Sequence, residues 1–439
     1  MPVRRTPRQA RPAPLPPPLE VTIERIGADG DGIATMPDGA PLYVPFTMAD
    51  ERVRARPVAR RGQGWAAEAD AVLEPGPERA TPPCRHFGAC GGCALQHWSV
   101  AAYQRWKTDQ LAAALTRAGF PDPAIAPLVG GAPGQRRRLD LAVRRAGRSL
   151  LLGLHRSRSA EVIDLLECPV ADPALVALIP PLRLLLVQLQ AVRREASVVL
   201  NLLDSGPDML LRTDAALSLA DRTALTAFAR AHGLPRIAWA SGTQAAEPVC
   251  VLRPPTTALA GVPVQPPPGA FLQATRTGEA AIVDAVLAAM PRVGRIAELY
   301  AGCGTISFAL ARTAPVAAWE GDAEAVAALR QAVNGTGLAG RITATQRDLA
   351  RQPLRAKELA GFAALVLDPP YAGAKPQMAA IAESRVPVVA YVSCNPAALA
   401  RDAAVLAAAG YRLDRATPVD QFLWSARLES VCVFRRKAR

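Results

Sequence analysis

Cysteine is scarce: the chain holds eight in 439 residues. That is too few for a disulfide scaffold, so a reducing cytoplasmic setting is expected. Lysine is nearly missing, since only Lys107, Lys357, Lys375 and Lys437 stand among the 51 basic residues. Such a bias toward arginine, with abundant alanine and proline, arises from GC-rich coding alone. No window offers the ~18 uninterrupted apolar residues of a spanning helix. The most apolar stretch, 174–192, is cut by Pro180, Pro181 and Arg183, and no membrane partner is expected. The N-terminal segment 1–18 is basic and proline-rich but has no apolar core of a targeting signal. It reads as an extended tail. No internal repeat is visible. A 20% charged and 50% hydrophobic composition excludes a disordered or collagen-like chain. At ~100–200 residues per domain the chain should form several domains.

The net charge is +13, which points to an anionic partner such as nucleic acid. It is local. Arg4, Arg5, Arg8 and Arg11 give the N-terminus +4, and Arg435, Arg436, Lys437 and Arg439 give the C-terminus +4. Segment 135–158 holds eight arginines and one acid, Asp140. The remainder is slightly acidic, so a polyanion-binding surface is favoured over uniform bias.

Four regions follow from the patterning: a tail over 1–19, a β-rich region over 20–80, a mixed region over 81–265 and an α/β region over 266–439. The second has short strands broken by turns at Asp29-Gly30-Asp31-Gly32 and Pro37-Asp38-Gly39, as in a small barrel of the OB type. The third opens on a cysteine loop, continues into a helix over 99–117, and carries an arginine-bearing hairpin near 139–153. Proline-rich 262–268 reads as a linker. The last alternates strands and helices: strands at 295–299, 316–320, 341–345, 363–367 and 388–392 predict a mostly parallel, doubly wound sheet. The chain closes with a hairpin of 411–418 and 429–434.

Five constellations carry chemistry. Cys84, Cys90 and Cys93 share one loop, and Cys168 lies far downstream before a proline. Three clustered thiols and one remote suit an iron–sulfur cluster better than zinc, which favours two close pairs; unrelated thiols remain open. Glu298–Thr305 places Gly302 and Gly304 between a strand and a helix, where backbone amides can meet a ligand. Glu320, Asp348 and Asp368 end successive strands, the edge at which this architecture binds ligands. Asp368-Pro369-Pro370-Tyr371 is a rigid turn, also typical of amino-group methyltransferases. Cys394 precedes a helix N-terminus, where a thiol can become a nucleophile, although a small buried cysteine is the commoner case. Glu429 lies among Leu428, Val431 and Val433, a setting that suits a general base with a raised pKa.

From about residue 20 to the end the chain resembles the bacterial RNA uridine-C5 methyltransferases that make 5-methyluridine in 23S rRNA. Gly30-Asp31-Gly32, Tyr43-Val44-Pro45 and Glu51-Arg52-Val53 stand where that family has its TRAM domain. Phe271-Leu272-Gln273, Glu298–Thr305, Glu320, Asp368-Pro369-Pro370, Ser393-Cys394-Asn395-Pro396 with Leu399–Asp402, and Asp420-Gln421-Phe422 with Glu429 follow in family order. The resemblance implies a class I S-adenosylmethionine-dependent methyltransferase fold with an OB-like TRAM barrel and an iron–sulfur middle domain. It implies Cys84, Cys90, Cys93 and Cys168 as ligands of a 4Fe–4S cluster. It implies Gln273, Tyr300, Thr305, Glu320, Asp348 and Asp368 as S-adenosylmethionine contacts. Cys394 is then the nucleophile that adds to uracil C6, Glu429 the base that removes the C5 proton, and Phe271 a stacking partner for a flipped base. A cytoplasmic monomer acting on 23S rRNA is the expectation. A tRNA substrate, amino-group methylation, or an inactive RNA-binding module are the alternatives. The chain departs from the family at Thr275 and Thr305 (usually Asn), Tyr371 (usually Arg) and Arg427 (usually His).

Overall fold

A computed structural model describes residues 15–147 and 149–436. The expected basic tail, Arg148, Lys437 and Arg439 lie outside the described residues. Contacts divide the chain into two compact units. No helix among the described residues is long and apolar enough to cross a membrane.

The first unit takes in described residues 15–82 and 94–99. Its strands Leu19–Thr22, Arg25–Ile26, Gly32–Thr35, Pro41–Val44, Arg52–Arg61 and Gly64–Glu74 form one six-stranded sheet. Alternation in Arg52–Arg61 buries Val53 and Ala55 and turns Arg52, Arg54 and Arg56 outward. Those arginines do not form an open cationic face. Arg52 pairs with Glu20 and Glu74, and Arg56 with Glu68 and Asp70. Glu51, fully buried, is held by Arg79 and the Gly76 N–H.

The second unit takes in described residues 83–93, 100–147 and 149–436. Its first sheet has seven strands, with Arg138–Ala146 and Glu195–Leu203 paired antiparallel near the centre. The apolar stretch near 174–192 becomes two short helices, Pro173–Val176 and Ile179–Gln188, whose leucines join this core. The expected linker at 262–268 is corrected. Val262–Val264 pairs with Thr257–Leu259 across a tight turn in which Ala260 and Gly261 both take positive φ. Proline at these positions is compatible with so short a two-stranded ribbon.

The second sheet carries the site. Its strands run in the order Ile342–Gln346, Val316–Glu320, Ile296–Leu299, Ala364–Leu367, Val388–Ser393, Glu429–Arg436, Tyr411–Val419. The first five are parallel, and the last two close the edge antiparallel. The doubly wound expectation therefore holds. Four- to six-residue strands buried throughout, such as Ala364–Leu367, reflect helices covering both faces. The sheet order reverses beside Ile296–Leu299, and a ligand crevice lies at such a switch point. Segment 124–129 runs along the outer strand through Ala126 N–H to Ala416 O (2.8 Å) and Val129 N–H to Pro418 O (3.0 Å), which covers an edge otherwise open to pairing.

The arginine stripe at 135–158 is partly structural rather than a free surface. Arg137 is 2% exposed. It donates to the Gln273 carbonyl at 2.9 Å and pairs with Glu279. Arg145 donates to the carbonyls of Val192 and Val187, and Arg144 lies near Glu195. Breaking a buried pair strands its partner, typically at ~3–5 kcal/mol. Arg137→Met should therefore lower stability by about 3 kcal/mol, read by thermal or urea unfolding. Unchanged unfolding would return Arg137 to an RNA-facing role.

Candidate active site

The glycine loop between Leu299 and Thr305 is built from left-handed backbone. Tyr300 (φ 64°), Gly302 (φ 54°) and Gly304 (φ 100°) all lie at positive φ. For Tyr300 this costs ~1–3 kcal/mol. A side chain at Gly304 would meet Leu329 at 2.5 Å and Phe308 at 2.7 Å, whereas one at Gly302 would meet nothing. The backbone at Gly302 is thus open on its ligand side. Helix Thr305–Leu310 starts directly after it.

Glu320 ends its strand and folds back onto this loop. Its two oxygens accept from the N–H groups of Gly302 and Asp322, each at 2.8 Å. Asp348, exposed after the next strand, caps Ala350 N–H at 3.0 Å and lies beside Gly321. Tyr300, Thr305, Glu320 and Asp348 therefore rim one edge of the sheet. Glu298, one strand turn inside, is buried against the Ser307 hydroxyl, and burial pushes its carboxyl up to about 8.

The second cluster is a chain of side-chain amides between two acids. Gln273 donates to Asp368 at 3.0 Å. Gln421 donates to the Gln273 side-chain oxygen at 2.7 Å and to Glu429 at 2.8 Å. Burial holds both acids well above the usual carboxylate range, and Asp368 raises Glu429 further. Their one shared link is a pair of neutral amides, which cannot neutralise either. Cys394 follows strand Val388–Ser393 and precedes helix Pro396–Ala408, whose N-cap is Asn395. Burial, with Glu429 and Asp368 nearby, pushes its thiol up to about 11, and Arg427 acts in the opposite sense. The hydrogen-bond chain links Gln273, Asp368 and Glu429, and both acids lie within electrostatic reach of Cys394. Phe271 stands 71% exposed on the segment leading to Gln273.

The departures from the family pattern have local explanations. Thr275 caps helix Arg276–Ala289 by accepting from Gly278 N–H at 3.0 Å, which an asparagine would also do. Tyr371 and Arg427 meet each other: the guanidinium lies 4.7 Å from the ring centroid. Sequence reasoning named Gln421 only as part of the Asp420-Gln421-Phe422 motif and gave it no role in the site. It sits outside any strand or helix, so no periodicity marks it.

The cysteine loop is pinned to the segment before Cys168. Glu167 accepts from Arg85 N–H at 2.9 Å, and His86 accepts from Leu166 N–H at 3.0 Å. Cys84, Cys90 and Cys168 lie in electrostatic reach of one another, and Gly92 N–H points at the Cys90 sulfur at 3.4 Å. Among the described residues, no trio of histidine, cysteine or acidic side chains is gathered tightly enough to chelate a metal ion.

Comparison with known proteins bears on the family and the fold. A protein of Brucella suis named an uncharacterized RNA methyltransferase is 41% identical over 94% of this chain and 97% of its own. One of Caulobacter vibrioides with the same description is 41% identical over 95% and 100%. The 23S rRNA (uracil(1939)-C(5))-methyltransferase RlmD of Chromohalobacter salexigens is 36% identical over 95% and 89%. The chain belongs to the RNA uracil-C5 methyltransferase family. A family profile described as conserved hypothetical protein 95 also matches residues 282–387. The Pyrococcus abyssi tRNA (uracil-54, C5)-methyltransferase, solved with S-adenosyl-L-homocysteine, shares the fold with a TM-score of 0.71. It is 19% identical and is covered over 95% of this chain and 100% of that one. The α/β sheet of this family member is thus the fold of S-adenosylmethionine-dependent methyltransferases.

Three acids, the buried Glu298 and Glu429 and the half-buried Asp368, fix a pH dependence. Glu298, Asp368 and Glu429 titrate higher in the folded chain than in the unfolded one. The folded state therefore holds more protons above about pH 4.5, and its stability falls as pH rises through the raised values. Without ligand, the melting temperature should drop from about pH 5 to about pH 9. Glu298→Gln should flatten part of that slope, and a rising melting temperature over the window would contradict the burial of these acids.

Proposed function

We propose that the chain transfers a methyl group from S-adenosylmethionine to C5 of a uridine in 23S rRNA through a covalent Cys394 adduct. The observation that carries this is the convergence of Cys394, Glu429 and Asp368 at the carboxyl edge, beside the open Gly302 loop. An amino-group methyltransferase would need Asp368-Pro369-Pro370-Tyr371 alone. Here a thiol and a separate buried acid stand with it. The 36% identity to a 23S rRNA enzyme favours rRNA over tRNA.

Each residue has a role in this reading. Tyr300, Thr305 and the glycine loop take the amino acid and sugar portions of the cofactor. Glu320 exchanges its Gly302 and Asp322 partners for ribose hydroxyls, with Asp348 near the adenine. Gln273 and Asp368 face the methyl donor, and the acidic rim attracts its sulfonium charge. That positive charge also favours ionised carboxylates among the buried acids. A uridine leaves its stack, with Phe271 supporting the exposed base. Cys394 thiolate then adds to C6. The extra electron density at C5 takes the methyl group, and the pair of the broken S–CH3 bond stays on sulfur as S-adenosylhomocysteine departs. Glu429 removes the C5 proton, the C5–C6 double bond reforms, and Cys394 leaves. A single group cannot be both the nucleophile at C6 and the base at C5, which is why two are required. Arg427, seated on Tyr371, offsets the acids that oppose thiolate formation.

Cys84, Cys90, Cys93 and Cys168 would hold a 4Fe–4S cluster in the middle region, as a structural clasp. Three thiols on one loop and a fourth brought to it by the contacts before Cys168 supply one ligand per iron, and the Gly92 amide would add a hydrogen bond to sulfur. The six-stranded N-terminal sheet would serve as the TRAM-type RNA contact, and the protein would work as a cytoplasmic monomer.

The test uses rRNA and tRNA from a strain lacking the gene, labelled with methyl-tritiated cofactor and mapped for 5-methyluridine. Label should appear at one uridine of 23S rRNA and vanish with Cys394→Ala. Label confined to tRNA, carried on an exocyclic amine, or retained by Cys394→Ala would overturn the reading.

A further inference from the structure

Glu429 is buried at 4% exposure, yet only one of its oxygens is satisfied. Oε2 accepts from Gln421 at 2.8 Å, while Oε1 is buried without a hydrogen-bond partner. A buried orphan acceptor is costly, so something must hold it there. The candidate is Gln421, itself 2% exposed.

The polarity of Gln421 is fixed by its surroundings. Ala274 N–H can only donate, and it meets the Gln421 oxygen at 2.8 Å. The nitrogen end therefore faces Gln273 Oε1 and Glu429 Oε2 and spends both hydrogens. That in turn directs the Gln273 nitrogen at Asp368. One backbone N–H thus sets the direction of every hydrogen bond between the two acids.

The position of Gln421 is fixed as firmly. Its neighbour Asp420 is fully enclosed. It accepts from Tyr103 at 2.6 Å and Lys107 at 2.5 Å, both on helix Val100–Arg117, and its N–H reaches Val129 O at 2.8 Å. On the other side a side chain at Gly278 would lie 2.8 Å from the Gln421 Cβ. The absence of a side chain there leaves room for the amide.

We propose that Gln421 is a positioning residue that clamps Glu429 by Oε2 so that Oε1 alone is presented to the C5 proton of the methylated adduct. This rests on the covalent reading of the site. The step balances: Oε1 takes the C5 hydrogen as a proton, the C5–H pair becomes the C5–C6 double bond, and the C6–S pair leaves on Cys394. Gln421 touches no reacting atom. Its loss would let Glu429 rotate and slow this step more than addition or methyl transfer.

The experiment compares wild type, Gln421→Leu, Gln421→Asn and Glu429→Gln on the substrate RNA. Gln421→Leu removes the donor, and Gln421→Asn withdraws it by one methylene while keeping its polarity. Both should lower kcat about 10- to 100-fold, with a smaller change in KM for RNA. Both should accumulate a methylated protein–RNA adduct stable to denaturing gels, and melting curves identify any variant that fails to fold. A wild-type kcat in a folded variant overturns the proposal. So does a lost kcat with no adduct while Glu429→Gln accumulates one. If Glu429→Gln itself accumulates none, the covalent reading falls instead.

Discussion

A buried and a half-buried carboxyl joined through two neutral amides set the conditions for everything else in the catalytic region. Asp368, Gln273, Gln421 and Glu429 come from four separate segments, and their hydrogen bonds run in one direction. Because amides carry no charge, neither acid gains the stabilisation a cation would give. Both stay ready to hold a proton near neutrality. The fold supplies the rigidity this needs. The parallel sheet presents Asp368, the antiparallel closing strand presents Glu429, and the middle region anchors the loop between them through Asp420, Lys107 and Tyr103. Ordering four segments around an uncompensated pair is an expense met by packing on all sides.

The cationic groups near this network are few and specific. Arg427 rests on the ring of Tyr371 and acts on Cys394 against the effect of the two acids. Arg137 is spent on Glu279 and the Gln273 carbonyl. It fixes the backbone at Gln273, from which the amide chain starts. Charge that looked like an RNA-binding stripe in the sequence is thus divided. Part of it builds the site from beneath, and the excess that remains is local to the outer hairpin and the termini.

The parallel sheet was legible because its strands are short, mostly apolar and separated by helices. Val316–Glu320 falls where its pattern places it, and the other strands of that sheet shift by a residue or two. The acids at strand ends were legible for the same reason, since strand ends in this architecture share one edge. The short pairing of Thr257–Leu259 with Val262–Val264 was not, because its prolines mimic a linker. Nor were the internal partners of the arginines, which lie far along the chain, 47 positions for Arg145 and Val192 and 142 for Arg137 and Glu279. The role of Gln421 was not legible either, because it lies in contacts with Ala274, Gln273 and Glu429 and not in its neighbours along the chain. Linear pattern reports which face is buried. It does not report which polar atoms meet inside.

The central claim is that Cys394 and Glu429 divide the chemistry at adjacent carbons of one uracil. Intact-mass and peptide mapping of the enzyme incubated with S-adenosylmethionine and 5-fluorouridine-substituted substrate RNA tests it directly. Fluorine cannot leave C5 as a proton, so Glu429 is denied its step while Cys394 completes its own. The account predicts a stable adduct of enzyme, RNA and one added methyl group, with the nucleotide attached at Cys394. Free enzyme with no adduct, or attachment at another cysteine, would contradict it.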